Sequence, residues 1–132
     1  MILVDSSAWI EYLRASGTAV HRRLSSLIRG GAALATTDPV VMEVLAGARD
    51  EWHARQLRSV LLGTSMIPVE GLLDFEQAAA LYRHCRARGV TVRRLVDCLI
   101  AAVAIRAGAS VLHADADFDA IARHTDLVVE VP

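Results

Sequence analysis

With 132 residues, 54% hydrophobic and 22% charged, the chain carries enough apolar material for one packed domain and too much for a disordered tail. Fourteen basic against fifteen acidic residues leave a net charge of −1, which gives no global signal of nucleic-acid binding. All fourteen basic residues are arginine, so any chemistry that needs a lysine is also excluded, whereas bidentate recognition of phosphate is not.

Short apolar strands alternate with helical patterns along the chain, the signature of a parallel sheet covered by helices. A strand is expected at 2–4, followed by a helix with Ser6 or Ser7 as N-cap. A second helix runs from Thr18 to Arg29 and stops at Gly30-Gly31, and residues 32–36 form the second strand. Asp38-Pro39 reads as an N-cap followed by proline at the first helical position. A helix over 51–62 ends at Gly63, and a short strand covers 66–69. Asp74 is expected to cap an amphipathic helix that runs through Arg88 to Gly89. The most apolar helix, 93–107, closes at Gly108; strand 110–113, helix 117–123 and a last strand 127–131 complete the chain.

Cys85 and Cys98 fall in expected helices without metal-ligand spacing and read as reduced, buried hydrophobes. Met1 leads directly into the first strand, with no basic leader. The longest apolar stretch, 99–105, is too short to span a bilayer. A soluble cytoplasmic protein of one domain, 1–132, is the expectation.

Four acidic stretches carry the chemistry: Val4-Asp5-Ser6-Ser7, Val41-Met42-Glu43-Val44, Val96-Asp97-Cys98-Leu99, and Asp115-Ala116-Asp117-Phe118. Each sets a carboxylate in or beside an apolar run, where burial is costly unless the charge is compensated. Asp5 and Asp115 follow expected strands, at the carboxyl ends where open α/β sheets place their ligands. Glu43 and Asp97 lie near helix N-termini, where partial positive charge favours anions. Right-handed crossovers bring those strand ends and helix starts to one edge of the sheet. Taken singly, Asp5 could cap a helix, Glu43 could be a half-exposed helical residue, Asp97 could pair with Arg93, and Asp115, Asp117 and Asp119 could be a solvated loop. Together they point to a convergent acidic pocket. Two carboxylates ~4 Å apart repel by about 4 kcal/mol at an effective dielectric of 20, so such a pocket needs protons or a cation. All-oxygen ligation suits Mg²⁺ or Mn²⁺, and the chemistry that follows is hydrolysis of a phosphodiester.

In order and separation, these four motifs resemble those of PIN-domain ribonucleases, and most closely the VapC toxins of bacterial toxin–antitoxin modules; the likeness covers essentially the whole chain. The resemblance implies a PIN-like three-layer α/β/α sandwich with a mainly parallel five-stranded sheet. It implies Mg²⁺- or Mn²⁺-dependent endonuclease activity on RNA, whether tRNA, rRNA or mRNA. Asp5 and Asp97 become the principal metal ligands and Glu43 completes the pocket and orients the nucleophile. Asp115 is the fourth acid and metal ligand, with Asp117 auxiliary, and Thr36 or Thr37 is expected to hydrogen-bond the cluster. His113 departs from the pattern, standing where such proteins usually carry a small hydroxyl residue, and reads as a supporting or surface histidine. Homodimerisation and a small cognate antitoxin of the VapB type are also implied, with no membrane role. Arg93 and Arg94, one turn before Asp97, are the favoured RNA contacts over Arg22-Arg23 and Arg86/Arg88; aromatic residues, at 5%, offer no stacking platform.

Four rivals share parts of this pattern. A phosphoacceptor receiver domain needs a lysine, and a haloacid-dehalogenase-type phosphatase needs Asp-x-Asp where this chain has Asp5-Ser6-Ser7. A non-catalytic RNA- or protein-binding version of the PIN fold is the serious competitor, followed by a processing nuclease without an antitoxin.

Overall fold

A computed structural model describes all residues, 1–132. The elements in chain order are β1 (Ile2–Val4), α1 (Ser6–Leu13), α2 (Ala19–Arg29), β2 (Leu34–Thr36), α3 (Asp38–Ala46), α4 (Glu51–Leu62), β3 (Ser65–Met66), α5 (Gly71–Ala87), α6 (Leu95–Ala107), β4 (Ser110–Leu112) and α7 (Ala116–His124). The sheet has the order β3-β2-β1-β4, with every pair parallel. Chain progress from β1 to β2 to β3 runs one way across the sheet, and the crossover to β4 returns past β1. Right-handed crossovers therefore place α1–α4 on one face and α5–α6 on the other, giving three layers. The packing agrees: α1 touches α2 and α3, α3 touches α4, and α5, α6 and α7 pack together. The direction of winding reverses between β1 and β4, and the crevice beyond their carboxyl ends is where a doubly wound sheet opens for a ligand.

The expected fifth strand at 127–131 is reduced to a single parallel bridge, Val111 with Val129. Val111 exchanges two backbone hydrogen bonds across it, donating to the Val128 carbonyl and accepting from Glu130 N–H, and pairing goes no further. Val128 and Val131 stay exposed, so only the inward-facing residues of this outer segment are anchored. Strand β1 spans the expected 2–4, whereas β2, β3 and β4 are shorter than expected, at three, two and three residues.

Helix starts differ from expectation in four places, each for a capping reason. Asp5, rather than Ser6 or Ser7, caps α1, its side chain accepting the Ser7 N–H. Thr37 is the N-cap of α3, which moves Asp38 inside the helix; Asp38 Oδ2 instead accepts the Val69 N–H at 2.7 Å and ties down the chain after β3. Helix α5 begins at Gly71, one turn before the expected cap, and Asp74 reaches back to the Glu70 N–H at 2.7 Å. Arg93 and Arg94 lie outside α6, with Arg94 as its N-cap in extended conformation, so Asp97 falls in the first turn. At the other end of α6, Gly108 takes a left-handed conformation (φ 67°) that returns the chain to β4, a geometry costly for any residue with a Cβ.

One core of 28 buried apolar residues fills both interfaces of the sheet. Helix α6 is its centre: residues 97–104 are buried without interruption, a run that includes Asp97. No helix is long and apolar enough to cross a membrane.

Candidate active site

Eight polar or charged residues are buried, and six of them, Asp5, Ser6, Thr36, Thr37, Asp97 and Asp117, belong to the strand ends and helix starts around the β1–β4 crevice. Asp5 is fully buried at the end of β1. Its Oδ2 accepts the Ser7 N–H at 3.0 Å and the Ser7 hydroxyl at 2.5 Å, while Oδ1 is buried with no partner. Ser7 Oγ in turn accepts the Ala114 N–H at 2.9 Å, which links the ends of β1 and β4. Glu43, on the second turn of α3, accepts the Ser6 hydroxyl at 3.0 Å on Oε1. Ser6 and Ser7, read from sequence only as helix caps, thus hold two of the acids; their position directly after an acid-ended strand was the available signal.

Asp97 is fully buried on the first turn of α6, and Oδ2 has no donor. Asp115 caps α7, its Oδ1 accepting the Asp117 N–H at 2.9 Å. Carboxylate oxygens of Asp97, Asp115 and Asp117 lie within 4.8 Å of one another. Asp5 and Glu43 stand outside that tight group, close enough that the Asp5 charge acts on both Glu43 and Asp97. The auxiliary Asp117 therefore belongs to the central triad geometrically.

Two arginines balance part of this charge. Arg93 donates through its guanidinium to Asp115 at 2.8 Å and Asp117 at 3.2 Å, and its backbone N–H donates to Asp117. Arg94 spans the crevice, donating to Glu43 at 3.3 Å, Asp97 at 3.2 Å and Asp115 at 3.2 Å. The structure thus joins Asp97 to Arg94 at i, i+3 and turns Arg93 toward the β4–α7 loop instead. Both guanidiniums remain substantially solvent-exposed, with side-chain exposure of 69% for Arg93 and 48% for Arg94, so they are reachable from outside.

Five carboxylates against two guanidiniums leave the crevice electronegative, and Asp5, Glu43 and Asp97 are raised within it. Burial raises the Asp5 carboxyl above its ordinary value against the lowering effect of its Ser7 hydrogen bonds. Burial also raises Glu43, opposed by Ser6 and reinforced by the Asp5 charge. Asp97 is pushed up to about 7 by burial first and then by the neighbouring Asp117 side chain, with Arg94 acting in the opposite sense. Asp115 alone is held below the usual range: the Asp117 N–H and the two arginines outweigh its burial.

Thr36 and Thr37 are fully buried, yet neither hydroxyl has a partner, so the expected hydrogen bonds from them to the acids are absent. The Ser6 and Ser7 hydroxyls, carried by the strand–helix turn itself, occupy that role. His113 is buried at the start of the β4–α7 loop and hydrogen-bonds to no carboxylate of the triad.

A divalent cation fits this donor set. Two buried carboxylate oxygens, Asp5 Oδ1 and Asp97 Oδ2, lack any donor, and three carboxylates crowd within reach of one ion. The ligands are all oxygen, as hard divalent cations prefer.

Comparison with known proteins accords with this geometry. The model of the PIN domain family matches residues 2–124. The chain belongs to the PIN domain family. Ribonuclease VapC11 of Mycobacterium tuberculosis is 46% identical to this PIN domain over 128 residues, covering 96% of each chain. Among solved structures, VapBC2 from Rickettsia felis bound to a DNA fragment from their promoter superposes with a TM-score of 0.75 at 17% identity, covering 98% of both chains. VapC20 of M. tuberculosis, described as a sarcin-ricin loop cleaving toxin, superposes with a TM-score of 0.71 at 22% identity, over 96% of this chain and 98% of that one. The two structures speak for the fold.

Proposed function

We propose that this PIN domain is a divalent-cation-dependent endoribonuclease, the toxin of a VapBC-type module that acts in the cytoplasm to inhibit translation. The observation that carries the reading is the pair of donorless buried oxygens, Asp5 Oδ1 and Asp97 Oδ2, on the same crevice as the Asp97–Asp115–Asp117 triad. A fold that isolates such atoms from every donor leaves a binding free energy to be recovered by a cation. The ribonuclease named VapC11, nearly half identical along nearly the full length, supports RNA as substrate.

Asp5, Asp97 and Asp115 would hold Mg²⁺ or Mn²⁺, with Asp117 beside them. When bound, the ion neutralises charge on the phosphodiester and makes an attacking water more acidic. Glu43, fixed by Ser6, orients that water and accepts its proton; its pKa, raised by burial, suits a base more than an ordinary glutamate would be suited. Arg93 and Arg94, exposed at the rim, bind the flanking phosphates by their guanidinium forks. A small antitoxin of the VapB type is the expected partner, and a homodimer the expected assembly.

The test is cleavage of total RNA by the purified, antitoxin-free protein with Mg²⁺, Mn²⁺ or EDTA, beside Asp97→Asn. Discrete cuts that vanish with EDTA and with the variant are expected. Cleavage that survives both controls would sink the acidic-site mechanism. A folded, cation-binding protein that cuts no RNA would favour a non-catalytic binding module on the same fold.

A further inference from the structure

The β4–α7 loop carries Asp115, yet its backbone is held by very few bonds. The Ala114 N–H goes to Ser7 Oγ at 2.9 Å, and the Asp115 N–H goes to Nδ1 of His113 at 3.1 Å. A donor two residues ahead, bonded to a side-chain acceptor, is the turn that Asn, Asp, Ser and Thr ordinarily make. Here an imidazole makes it. Because Nδ1 accepts a hydrogen bond from a backbone N–H, it cannot itself carry a proton, so the ring must be the Nε2–H tautomer. The other side of the ring meets that requirement: Nε2 lies 3.1 Å from Oδ1 of Asp119, an acceptor on the first turn of α7. His113 is 9% exposed, and its ring packs against Phe118 at 5.2 Å between centroids with the two planes tilted by 36°, which restricts its rotation.

We propose that His113 is a positioning residue for the metal site: Asp119 sets its tautomer, and its Nδ1 fixes the backbone of Asp115, and through it the carboxylate of Asp115. This rests on the metal-nuclease reading for its consequence in catalysis, though not for its geometry. It also accounts for the departure from the small hydroxyl residue that the family resemblance leads one to expect at this position. A serine hydroxyl and an imidazole Nδ1 both present an acceptor to the N–H two residues on, and the histidine adds an anchor to α7 that a serine cannot reach. Asp115 then owes its orientation to four bonds: its N–H to His113, its Oδ1 from the Asp117 N–H and from Arg93, and its Oδ2 from Arg94.

The stereochemistry supplies the controls. Asparagine places Oδ1 where histidine has Nδ1 and keeps the turn, whereas glutamine places its polar atoms nearer Nε2 and alanine has none. Mn²⁺ titration by calorimetry and RNA cleavage would be measured for wild type, H113N, H113Q, H113A and D119A. Long-range ¹H–¹⁵N NMR on the wild type would assign the tautomer. The expected result is the Nε2–H tautomer, with Mn²⁺ affinity and turnover both falling about tenfold in H113A. H113Q should resemble H113A, H113N should remain close to wild type, and D119A should fall between. An Nδ1–H tautomer overturns the proposal, as does an H113N variant as impaired as H113A, or an H113A variant with unchanged Mn²⁺ affinity. If H113A does not fold, the wild-type tautomer and the contrast of H113N with H113Q decide. A wild type with the Nε2–H tautomer that binds no Mn²⁺ and cuts no RNA would instead overturn the nuclease reading, and the catalytic consequence drawn here with it.

Discussion

At the scale of single residues, Asp97 is the group whose surroundings change its chemistry most. Its carboxyl titrates at about 7 in the fold against 3.8 in an unfolded chain. Between those values the native state holds a proton that the unfolded state releases, so stability falls as pH rises through that window and the loss is complete above the folded value. Asp97→Asn removes the titration. In EDTA, the variant should gain stability relative to wild type as pH rises from 5 to 8; urea unfolding at both values measures it, and parallel curves would refute the assignment. Arg94 offers a second residue-scale prediction. It donates to three carboxylates that a cation would also contact, so it competes with the ion for them. Arg94→Ala should tighten Mn²⁺ binding by about three- to fivefold, the worth of a half-exposed charge contact of up to about 1 kcal/mol, while RNA cleavage falls. Equal or weaker Mn²⁺ binding would show that the arginine supports the cation site instead. The acids were legible in the sequence because each sits among core residues after a strand or early in a helix. Their arginine partners were legible only as neighbours: which of Arg93 and Arg94 meets Asp97 depends on where α6 begins, and the sequence places that start two residues early.

At the scale of elements, every helix and the first four strands lie where apolar periodicity puts them, and the differences are concentrated at caps. A cap is decided by which of several adjacent polar side chains reaches a free N–H, a matter of local rotamers and tertiary neighbours that periodicity does not encode. Asp74 illustrates this. It was expected at the helix boundary, and instead sits inside the first turn of α5, 1% exposed, accepting both the Glu70 N–H and a forked contact from Arg106 at 2.9 and 3.0 Å. Arg106 lowers the Asp74 pKa, so this contribution to stability is present above the ordinary carboxylate range and is lost as pH falls through the folded value. Arg106 also donates to the Pro68 carbonyl, so the pair pins the β3–α5 turn against α6, far from the acidic crevice along α6. Asp74→Asn should destabilise the domain by about 1–3 kcal/mol, discounted from a fully buried pair because Arg106 is partly exposed. Chemical unfolding gives the magnitude, and RNA cleavage per folded molecule should not change; a loss of cleavage in fully folded variant would mean that α5 and the crevice are coupled. The fifth strand failed for a different reason: an outermost segment with one neighbour extends only as far as that neighbour's free edge, and apolar alternation at 127–131 cannot reveal this.

At the scale of the whole molecule, the fold gathers five carboxylates at the carboxyl end of β1 and the starts of α3, α6 and α7, and compensates only part of their charge. A domain of this size has a stability of roughly 5–15 kcal/mol, so an uncompensated cluster is a considerable fraction of the total. A cation held in this crevice would consequently be linked to the stability of the domain. An ion that binds the folded state alone stabilises it by about 2.7 kcal/mol at one hundred times its dissociation constant. For a chain intermediate between the small and large domains on which such shifts are calibrated, that corresponds to a melting point higher by roughly 10 °C. Mn²⁺ added to EDTA-treated protein should produce a rise of this order, saturating with the affinity found by calorimetry. Asp97→Asn should start from a higher metal-free melting point near pH 8 and gain little from the ion, whereas Asp74→Asn should start lower and gain the full increment, because its lesion lies outside the crevice. That crossed pattern is specific to a cluster whose repulsion the ion relieves. A cation effect of equal size in both variants would place the binding elsewhere on the molecule, and the donorless oxygens of Asp5 and Asp97 would then require another occupant.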